Sequence, residues 1–227
     1  LLGMVCLAIL TACSGSGQKD YLSYVDPFIG TGEHGHVFLG ASVPFGTIQA
    51  GPQNIHKGWD WCSGYHYSDS IIIGFSHTHL SGTGCADLGD ILLMPYVGEI
   101  RTRRGEQNDI SNSCSSYYKH EKEQCSPDYY ALTMENGVKA ELTASGHVAM
   151  HRYTFPDKEA PRVLLNLQEG NGDRASDTYM RLADKYTVEG YRVSNGWSPK
   201  HQVHFTVKSK TPISELLVFD EDKPAGC

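Results

Sequence analysis

The chain has 227 residues, of which 40% are hydrophobic and 20% are charged. This composition is ordinary for a globular protein and is sufficient for one good hydrophobic core, with room for part of a second. The formal net charge of −7 argues against nonspecific nucleic-acid binding, which requires a basic face. The one dense basic group, Arg101, Arg103 and Arg104, is interpreted as a solvated turn or strand end rather than a phosphate site.

The first residues predict export. Leu1–Leu10, "LLGMVCLAIL", is apolar but too short to cross a bilayer as a helix, as in the hydrophobic part of a secretory signal. The next residues, "LTACSGSG", match a bacterial lipoprotein signal, in which the peptide is cut before the cysteine and the thiol is lipidated. We therefore expect a signal peptide at 1–12, lipid on Cys13, a flexible tether at 13–20 and an outer-membrane lipoprotein, at the cell surface or the periplasmic face. A simple cleaved signal with an incidental cysteine is the alternative.

Five of the seven cysteines follow the predicted lipidation site: Cys62, Cys85, Cys114, Cys125 and Cys227. An exported protein can hold disulfides. Cys114–Cys125 would close a short polar loop and Cys62–Cys85 would join two ends of an aromatic motif, but the sequence does not fix the pairing. The absence of a C-x-x-C motif argues against a structural zinc or iron–sulfur site.

Most of the chain has the pattern of short β-strands. Residues 138–143 alternate, with Val138, Ala140 and Leu142 on one face, and residues 201–207 alternate in the same way, with Val203, Phe205 and Val207 inward. Further strands are predicted at 43–49, 71–76, 91–97, 162–167, 186–193 and 215–219. Turn sequences such as Glu135-Asn-Gly separate them, and no convincing helical periodicity is present. The pattern predicts an all-β protein, an antiparallel β-sandwich over 21–227 with long glycine-rich loops.

Three glycine-rich segments concentrate polar and aromatic side chains: residues 26–36, 58–67 and 75–84, the last continuing to Asp90. Trp59 and Trp61 offer flat apolar faces on which the aliphatic face of a sugar ring can pack. Asp60 and His66 offer hydrogen-bonding groups suited to hydroxyl pairs, and glycines let the backbone approach a ligand. Core packing is the alternative for any single aromatic residue, but together the three segments favour a binding site.

A metal site is an alternative interpretation, whereas the sequence does not support a phosphate-binding loop or a serine hydrolase. His34-Gly-His36 and His77-Thr-His79 are both H-x-H, which on a strand places two imidazoles on one face for a metal, with Asp87 or Asp90 to complete the site. The glycine-rich loops lack the lysine of a phosphate-binding loop, and no G-x-S-x-G motif of a serine hydrolase is present. The scattered histidines on predicted strands are interpreted as strand-face residues: His147, His151, His201 and His204.

Two long stretches make the sequence specific enough for a family resemblance. These are "YVDPFIGTGEHGHVFLGASVPFGTIQAGPQ" and "GWDWCSGYHYSDSIIIGFSHTHLSGTGCADLGDILLMP". They strongly resemble the amino-terminal domain of glycoside hydrolase family 92, whose members are exo-acting α-mannosidases. A weaker likeness continues through "GVKAELTASGHVAMHRYTFP" and "GYRVSNGWSPKHQVHFTVK", so that the resemblance covers roughly residues 21–219.

The resemblance implies a β-sandwich followed by an (α/α)6-barrel domain, with the active site between them. It implies calcium-dependent hydrolysis with inversion, in which one carboxylic acid protonates the leaving oxygen and one carboxylate activates water. In the family the acid, the base and most calcium ligands come from the barrel, which the given residues do not include. We therefore assign no catalytic residue here and expect an isolated amino-terminal domain to be inactive.

The resemblance implies that this domain lines part of the mannose pocket. The predicted substrate-binding or pocket-shaping residues are Trp59, Asp60, Trp61, His66, His77, His79, Asp87 and Asp90. Asp26, His34 and His36 are assigned a structural role at the domain boundary. The expected substrates are α-1,2-linked mannose residues on N-glycans or mannans. The rival interpretations are a non-catalytic carbohydrate-binding sandwich and a metal-dependent hydrolase that uses the H-x-H pairs.

Overall fold

The computed structural model describes residues 19–43, 46–220 and 223–225. The predicted signal peptide at 1–12, Cys13 and Cys227 lie outside these residues, as does most of the predicted tether. In the part of the chain that is described, no helix has the length and apolar character needed to span a membrane.

The described residues form an all-β protein whose strands pair only in the antiparallel sense. The strands are β1 (Gly51–Gln53), β2 (Ile71–Ile72), β3 (Gly74–Ser76), β4 (Leu92–Val97), β5 (Ser116–Tyr117), β6 (Glu123–Ser126), β7 (Tyr129–Thr133), β8 (Lys139–Ser145), β9 (Val148–Thr154), β10 (Pro161–Asn166), β11 (Ala175–Asp184), β12 (Thr187–Ser194), β13 (His201–Lys208), β14 (Val218–Asp220) and β15 (Lys223–Ala225). Helical structure in these residues is limited to three short 3-10 turns, at Tyr21–Tyr24, Trp59–Trp61 and His120–Lys122.

Two four-stranded sheets, in the orders β1-β3-β4-β10 and β6-β7-β8-β9, form the two layers of the sandwich. Their facing side chains share one hydrophobic core, in which Phe75 of β3 contacts Tyr130 of β7 at a ring-centroid distance of 6.2 Å. The alternation predicted at 138–143 is confirmed, because Val138, Ala140 and Leu142 are all buried in this core. Burial of that face sets the register of β8, since a shift of one residue would expose it.

Three smaller sheets complete the fold: β11-β12-β13, β2-β5 and β14-β15. The strands predicted at 91–97, 162–167, 186–193 and 201–207 correspond to β4, β10, β12 and β13. The inward residues Val203, Phe205 and Val207 are only half-buried. The strand predicted at 215–219 is shorter and lies at β14.

Two predicted strands are wrong in detail. Residues 43–49 form no strand in their described part, which turns at Gly46 (φ +66°), and pairing begins only at Ala50 opposite Ala41. The strand predicted at 71–76 is divided into β2 and β3. The division occurs next to Gly74 (φ +149°), where a Cβ would lie 2.9 Å from the side chain of Leu92, so only glycine fits.

Neither candidate disulfide is formed: Cys62, Cys85, Cys114 and Cys125 are free thiols. For Cys114 and Cys125 the physical reason is local. The Cys114 thiol donates to the carbonyl of Arg103 at 3.1 Å, and the Cys125 thiol donates to the carbonyl of Ser126 at 3.7 Å. Each sulfur is therefore satisfied by a neighbouring backbone group rather than by the other cysteine.

A buried ion cluster joins the three-stranded sheet to the sandwich. Arg192 of β12 has no solvent-exposed surface and donates to Asp90 at 2.7 Å, to Asp173 at 3.0 Å and to the carbonyl of Leu167 at 3.0 Å. The second oxygen of Asp90 accepts from the Thr78 hydroxyl at 2.6 Å. A buried guanidinium needs such partners, because an unpaired charge in the interior is strongly unfavourable.

The Arg192→Met variant tests this cluster. Removing the guanidinium leaves two buried carboxylates without their cation, so we expect the free energy of unfolding to fall by about 3–5 kcal/mol. Urea denaturation measures it. The matched control is Arg181→Met on the neighbouring strand β11, whose exposed side chain pairs with Glu189 and whose loss should matter little. Equal effects of the two substitutions would show that the buried cluster does not stabilise the fold.

A second polar network, which is partly buried, crosses between the two sandwich sheets. His77 lies 2.7 Å from the carbonyl of Ile91 through Nδ1 and 3.1 Å from His151 through Nε2, and His151 Nδ1 lies 2.7 Å from the hydroxyl of Tyr153. A carbonyl only accepts, so His77 carries its proton on Nδ1 and accepts from His151 Nε2, which leaves His151 Nδ1 to accept from Tyr153. This arrangement requires both imidazoles to be neutral.

The histidine network predicts a loss of stability in mild acid. Burial lowers the pKa of His77 and His151, and it lowers the pKa of His79 to about 4. The unfolded chain therefore binds these protons first, and the free energy of unfolding falls as pH decreases from about 6.5. His79 alone accounts for a loss on the order of 3 kcal/mol over the full range to pH 4.

Chemical denaturation at a series of pH values measures this slope. His151→Gln retains hydrogen-bonding groups but does not titrate, so it should flatten the dependence between pH 6.5 and 4. His147→Gln, at an exposed turn position, is the control and should leave the dependence unchanged. An unaltered slope in His151→Gln would contradict the prediction.

Candidate functional site

Trp59, Asp60 and Trp61 form a single 3-10 turn. The turn closes through hydrogen bonds from the Trp61 amide to the Gly58 carbonyl at 3.0 Å and from the Cys62 amide to the Trp59 carbonyl at 3.1 Å. Gly58 precedes it with φ +115°, a conformation that side chains rarely adopt. The tight turn sends the two indoles into different surroundings: Trp59 is 58% exposed, whereas Trp61 is half-buried.

The exposed indole of Trp59 is held by two histidines from the loop at 30–36. The His36 ring meets it edge-on at a centroid distance of 4.2 Å, and the His34 ring is tilted against it at 5.4 Å. Gly84 closes another side, where an added Cβ would lie 3.0 Å from Trp59 Nε1. The ring is therefore fixed in position while a large part of its surface stays open to solvent.

Asp60 brings charge to the same place. Its Oδ1 is 2.6 Å from His34 Nδ1, and this hydrogen bond raises the pKa of His34 and lowers the pKa of Asp60. His36 Nε2 is 3.5 Å from the same oxygen but makes no hydrogen bond, and it is buried. We call Trp59, Asp60, His34 and His36 the Trp59 cluster. It combines an open aromatic ring, a carboxylate, an exposed histidine paired with that carboxylate, and one buried nitrogen that makes no hydrogen bond.

Trp61 and His66 lie behind the Trp59 cluster. Their rings are stacked at a centroid distance of 4.3 Å, and Trp61 Nε1 donates to Asp69 at 2.9 Å. His66 Nε2 is 3.1 Å from the carbonyl of Glu33, which makes it the donor to the loop that carries His34 and His36. The pair thereby connects the 3-10 turn to this loop and sets their relative position.

His77, His79, Asp87 and Asp90 lie inside the fold, where their polar atoms contact protein groups. His79 lies 3.0 Å from the carbonyl of Ser63 and 3.1 Å from the hydroxyl of Ser76. Asp87 accepts from the amides of Leu88 and Trp197. These four residues therefore support the loops from inside the fold. That they shape a sugar pocket stays a prediction.

Neither H-x-H pair presents its two imidazoles on one face of an extended strand. His36 has φ +56°, so the loop at 30–36 is not extended there, and His77 and His79 contact different partners. Within the described ranges, no group of three or more His, Cys, Asp or Glu residues is arranged to hold a metal ion. The geometry assumed for the metal-dependent hydrolase is therefore not found at these pairs.

In the structure, His34 and His36 are candidate functional residues, although the sequence predicted a structural role for them. They were assigned to a structural boundary together with Asp26, whose carboxylate only caps a local turn by accepting from the Phe28 amide at 2.9 Å. The structure instead places both histidines against Trp59 and Asp60. The available signal was the spacing of two imidazoles within a glycine-rich loop, since such a loop can fold back on a neighbouring segment.

Comparisons with known proteins identify the family of the chain. Residues 24–226 match the description "Glycosyl hydrolase family 92 N-terminal domain". A family GH92 alpha-mannosidase, BT3965 from Bacteroides thetaiotaomicron, superposes with a TM-score of 0.87 at 36% identity, over 90% of this chain and 28% of that chain. The same enzyme in complex with mannoimidazole gives a TM-score of 0.86 over 89% of this chain and 27% of that one.

Two further relatives are more distant. The inverting mannosidase BT2199 from the same organism shares the fold, with a TM-score of 0.72 at 24% identity, over 89% of this chain and 27% of that chain. An uncharacterized secreted glycosidase of Arthroderma benhamiae is 31% identical over 171 residues, which are 67% of this chain and 20% of that protein. The chain thus spans less than a third of these relatives. By its match over nearly all of the described residues, the chain belongs to glycosyl hydrolase family 92.

Proposed function

We propose that this domain supplies one wall of the mannose pocket of an exo-acting α-mannosidase. The observation that carries the proposal is the open face of Trp59, fixed by His34 and His36 beside the Asp60 carboxylate. The similarity to a GH92 alpha-mannosidase at 36% identity supports mannose as the sugar. The loops rather than the sheets hold these groups, as is usual for binding residues on a rigid scaffold.

The Trp59 cluster has the chemistry that a sugar ring requires. The indole offers an apolar face to the C–H face of a pyranose, and Asp60 and His34 offer hydrogen-bonding groups for neighbouring hydroxyls. His36 Nε2 is buried without a hydrogen bond, and a buried polar atom of this kind normally has a partner. A sugar hydroxyl at this position would satisfy it. Trp61 and His66 would act as positioning residues behind the wall.

No carboxylate in this cluster suits the role of general acid. The hydrogen bond from His34 lowers the pKa of Asp60, whereas a general acid must hold its proton near the working pH. We therefore propose that Asp60 binds substrate. The acid and base of an inverting mechanism, which flank the scissile bond with a water between them, are proposed to come from the (α/α)6-barrel that the family resemblance implies.

Calcium dependence is proposed for the whole enzyme, but the described residues do not fit a calcium site. Calcium prefers six to eight oxygen ligands, and Asp87 and Asp90 already accept hydrogen bonds from protein groups. The calcium ligands would therefore lie in the other domain. Treatment of the full-length protein with EDTA should abolish hydrolysis of an aryl α-mannoside, and calcium but not zinc should restore it. Activity that survives EDTA would contradict the proposal.

Linkage preference and location complete the proposal. We infer an α-1,2-mannosidase that removes terminal mannose from N-glycans or mannans, exported and anchored by lipid on Cys13 at the outer membrane. The one curated relative described above is named as a secreted glycosidase, which supports export. The rival is a non-catalytic carbohydrate-binding sandwich, which would bind methyl α-mannoside without any mannose release by the full-length protein.

Trp59→Ala tests the binding wall directly. Loss of the indole face should weaken the affinity of the full-length protein for methyl α-mannoside about tenfold or more, or about 1.4 kcal/mol. Isothermal titration measures this affinity. The control is Trp197→Ala, which removes another well exposed indole, 66% accessible, from a different loop. Unchanged affinity in Trp59→Ala, or an equal loss in Trp197→Ala, would remove Trp59 from the pocket.

A further inference from the structure

A row of three aromatic rings crosses the three-stranded sheet. Tyr179 of β11 lies directly opposite Tyr191 of β12, and Tyr191 lies directly opposite His204 of β13. The ring centroids are 5.8 Å apart between Tyr179 and Tyr191 and 5.7 Å apart between Tyr191 and His204. Tyr179 is 48% exposed, His204 is exposed, and Tyr191 between them is half-buried. We call these three residues the Tyr179 row.

The Tyr179 row lies on the face of the sheet that is turned to solvent. Successive side chains of a strand point to opposite faces. Arg192, which follows Tyr191 on β12, is fully buried in the ion cluster described above. On β13 the exposed His204 follows the half-buried Val203. The inner face therefore holds the sheet on the sandwich, and the aromatic rings lie on the outer face.

Hydrogen-bonding side chains border the row on both sides. On one side the Asp177 carboxylate accepts from the Tyr191 hydroxyl at 3.1 Å. The exposed Gln202 lies on the same face of β13. On the other side Arg181 Nε donates to Glu189 at 2.8 Å. The outer face thus places donors and acceptors along an aromatic strip, and the Asp177 contact helps to fix one of its rings.

This combination fits an oligosaccharide. The rings offer apolar surface for the C–H faces of sugar rings, and the bordering amide and carboxylate groups suit the hydroxyls. The row runs from one edge strand of this sheet to the other, so it fits a chain of linked sugars rather than one enclosed ring.

Other partners fit this face less well. A stable protein interface buries about 800 Å² on each partner around an apolar centre, whereas only one row of rings is present here, between polar neighbours. Nucleic acid requires a basic face, but Glu189 compensates the charge of Arg181.

We propose that the Tyr179 row is a second glycan-binding surface, which takes an internal stretch of an α-mannan chain. The identity of the sugar rests on the proposed function, in which the Trp59 cluster binds a terminal mannose. A second contact with the same polymer would raise the effective concentration of chain ends at the enzyme. The row should therefore matter for polymeric substrates and not for a small mannoside.

Native electrophoresis of the full-length protein in gels that contain yeast α-mannan tests the proposal. Tyr179→Ala combined with Tyr191→Ala removes two of the rings and should weaken the apparent affinity for mannan on the order of tenfold. The same variant should hydrolyse an aryl α-mannoside with unchanged kcat/KM, because this small substrate carries no further sugars to contact the row.

Matched variants separate loss of the rings from loss of stability. Tyr179→Phe combined with Tyr191→Phe keeps both rings and should retain most of the affinity for mannan. Tyr117→Ala removes another exposed tyrosine, 41% accessible, from β5 and should leave mannan retention unchanged. Urea denaturation of the alanine variant monitors the fold, since cross-strand aromatic pairs also stabilise sheets.

The proposal is overturned if mannan does not retain the wild type, or if it retains the alanine variant equally well. It is also overturned if the phenylalanine variant or Tyr117→Ala loses as much affinity, or if kcat/KM for the aryl α-mannoside falls in parallel. A failure of the proposed function gives a different pattern: Trp59→Ala would leave the affinity for methyl α-mannoside unchanged, while mannan retention would still depend on Tyr179.

Discussion

The buried carboxylate of Asp90 is the interaction on which the positions of the other elements depend. One oxygen accepts from Arg192 in the three-stranded sheet and the other from Thr78, with His201 at 3.3 Å. Thr78 and Asp90 lie on either side of the loop at 80–87. The Asp90 carboxylate therefore fixes both the base of that loop and its distance from the three-stranded sheet. The desolvation cost of such a group is large, and only full pairing offsets it. Specificity of the loop position is therefore obtained from a buried charge, while the hydrophobic core between the two four-stranded sheets supplies the driving force for folding.

The aromatic and histidine residues of the three glycine-rich segments form two layers with different roles. The outer layer is the Trp59 cluster, whose ring and polar atoms face solvent or each other. The inner layer, which includes Trp61, His66 and His79, is engaged by carbonyls, hydroxyls and stacked rings. A pocket wall needs this division, because an exposed ring contributes binding energy only when it is already ordered before the ligand arrives. The many polar aromatic residues of the segment at 58–67 are explained in this way without each one contacting a ligand.

The sequence predicted the fold class and the strands with clear alternation, because a buried face of period two is visible in the order of residues, as at Val138, Ala140 and Leu142. Strands were predicted less well where the backbone requires a glycine conformation, as at Gly46 and Gly74. The need for a positive φ depends on neighbouring chain segments and is not visible in the local sequence. For the candidate site, Trp59 and Asp60 were predicted from their chemistry. The approach of His34 and His36 to Trp59 was missed, because the spacing of the two histidines does not show the hydrogen bond between His66 and the Glu33 carbonyl, which connects segments more than 30 residues apart. The burial of Asp90 was also not visible in the sequence, since its partner Arg192 lies 102 positions away.

The loop at 80–87 contacts the Trp59 cluster through Gly82 and Gly84 at its tip. His34 and His36 hold two sides of the indole by ring packing, which depends on short-range contact and tolerates small movements. The remaining side is closed by Gly84, and the hydrogen bond from the Gly82 amide to the His36 carbonyl holds the loop there. The order of the Trp59 ring thus depends on the tip of the loop as well as on the two histidines, while Asp90 fixes the base of that loop.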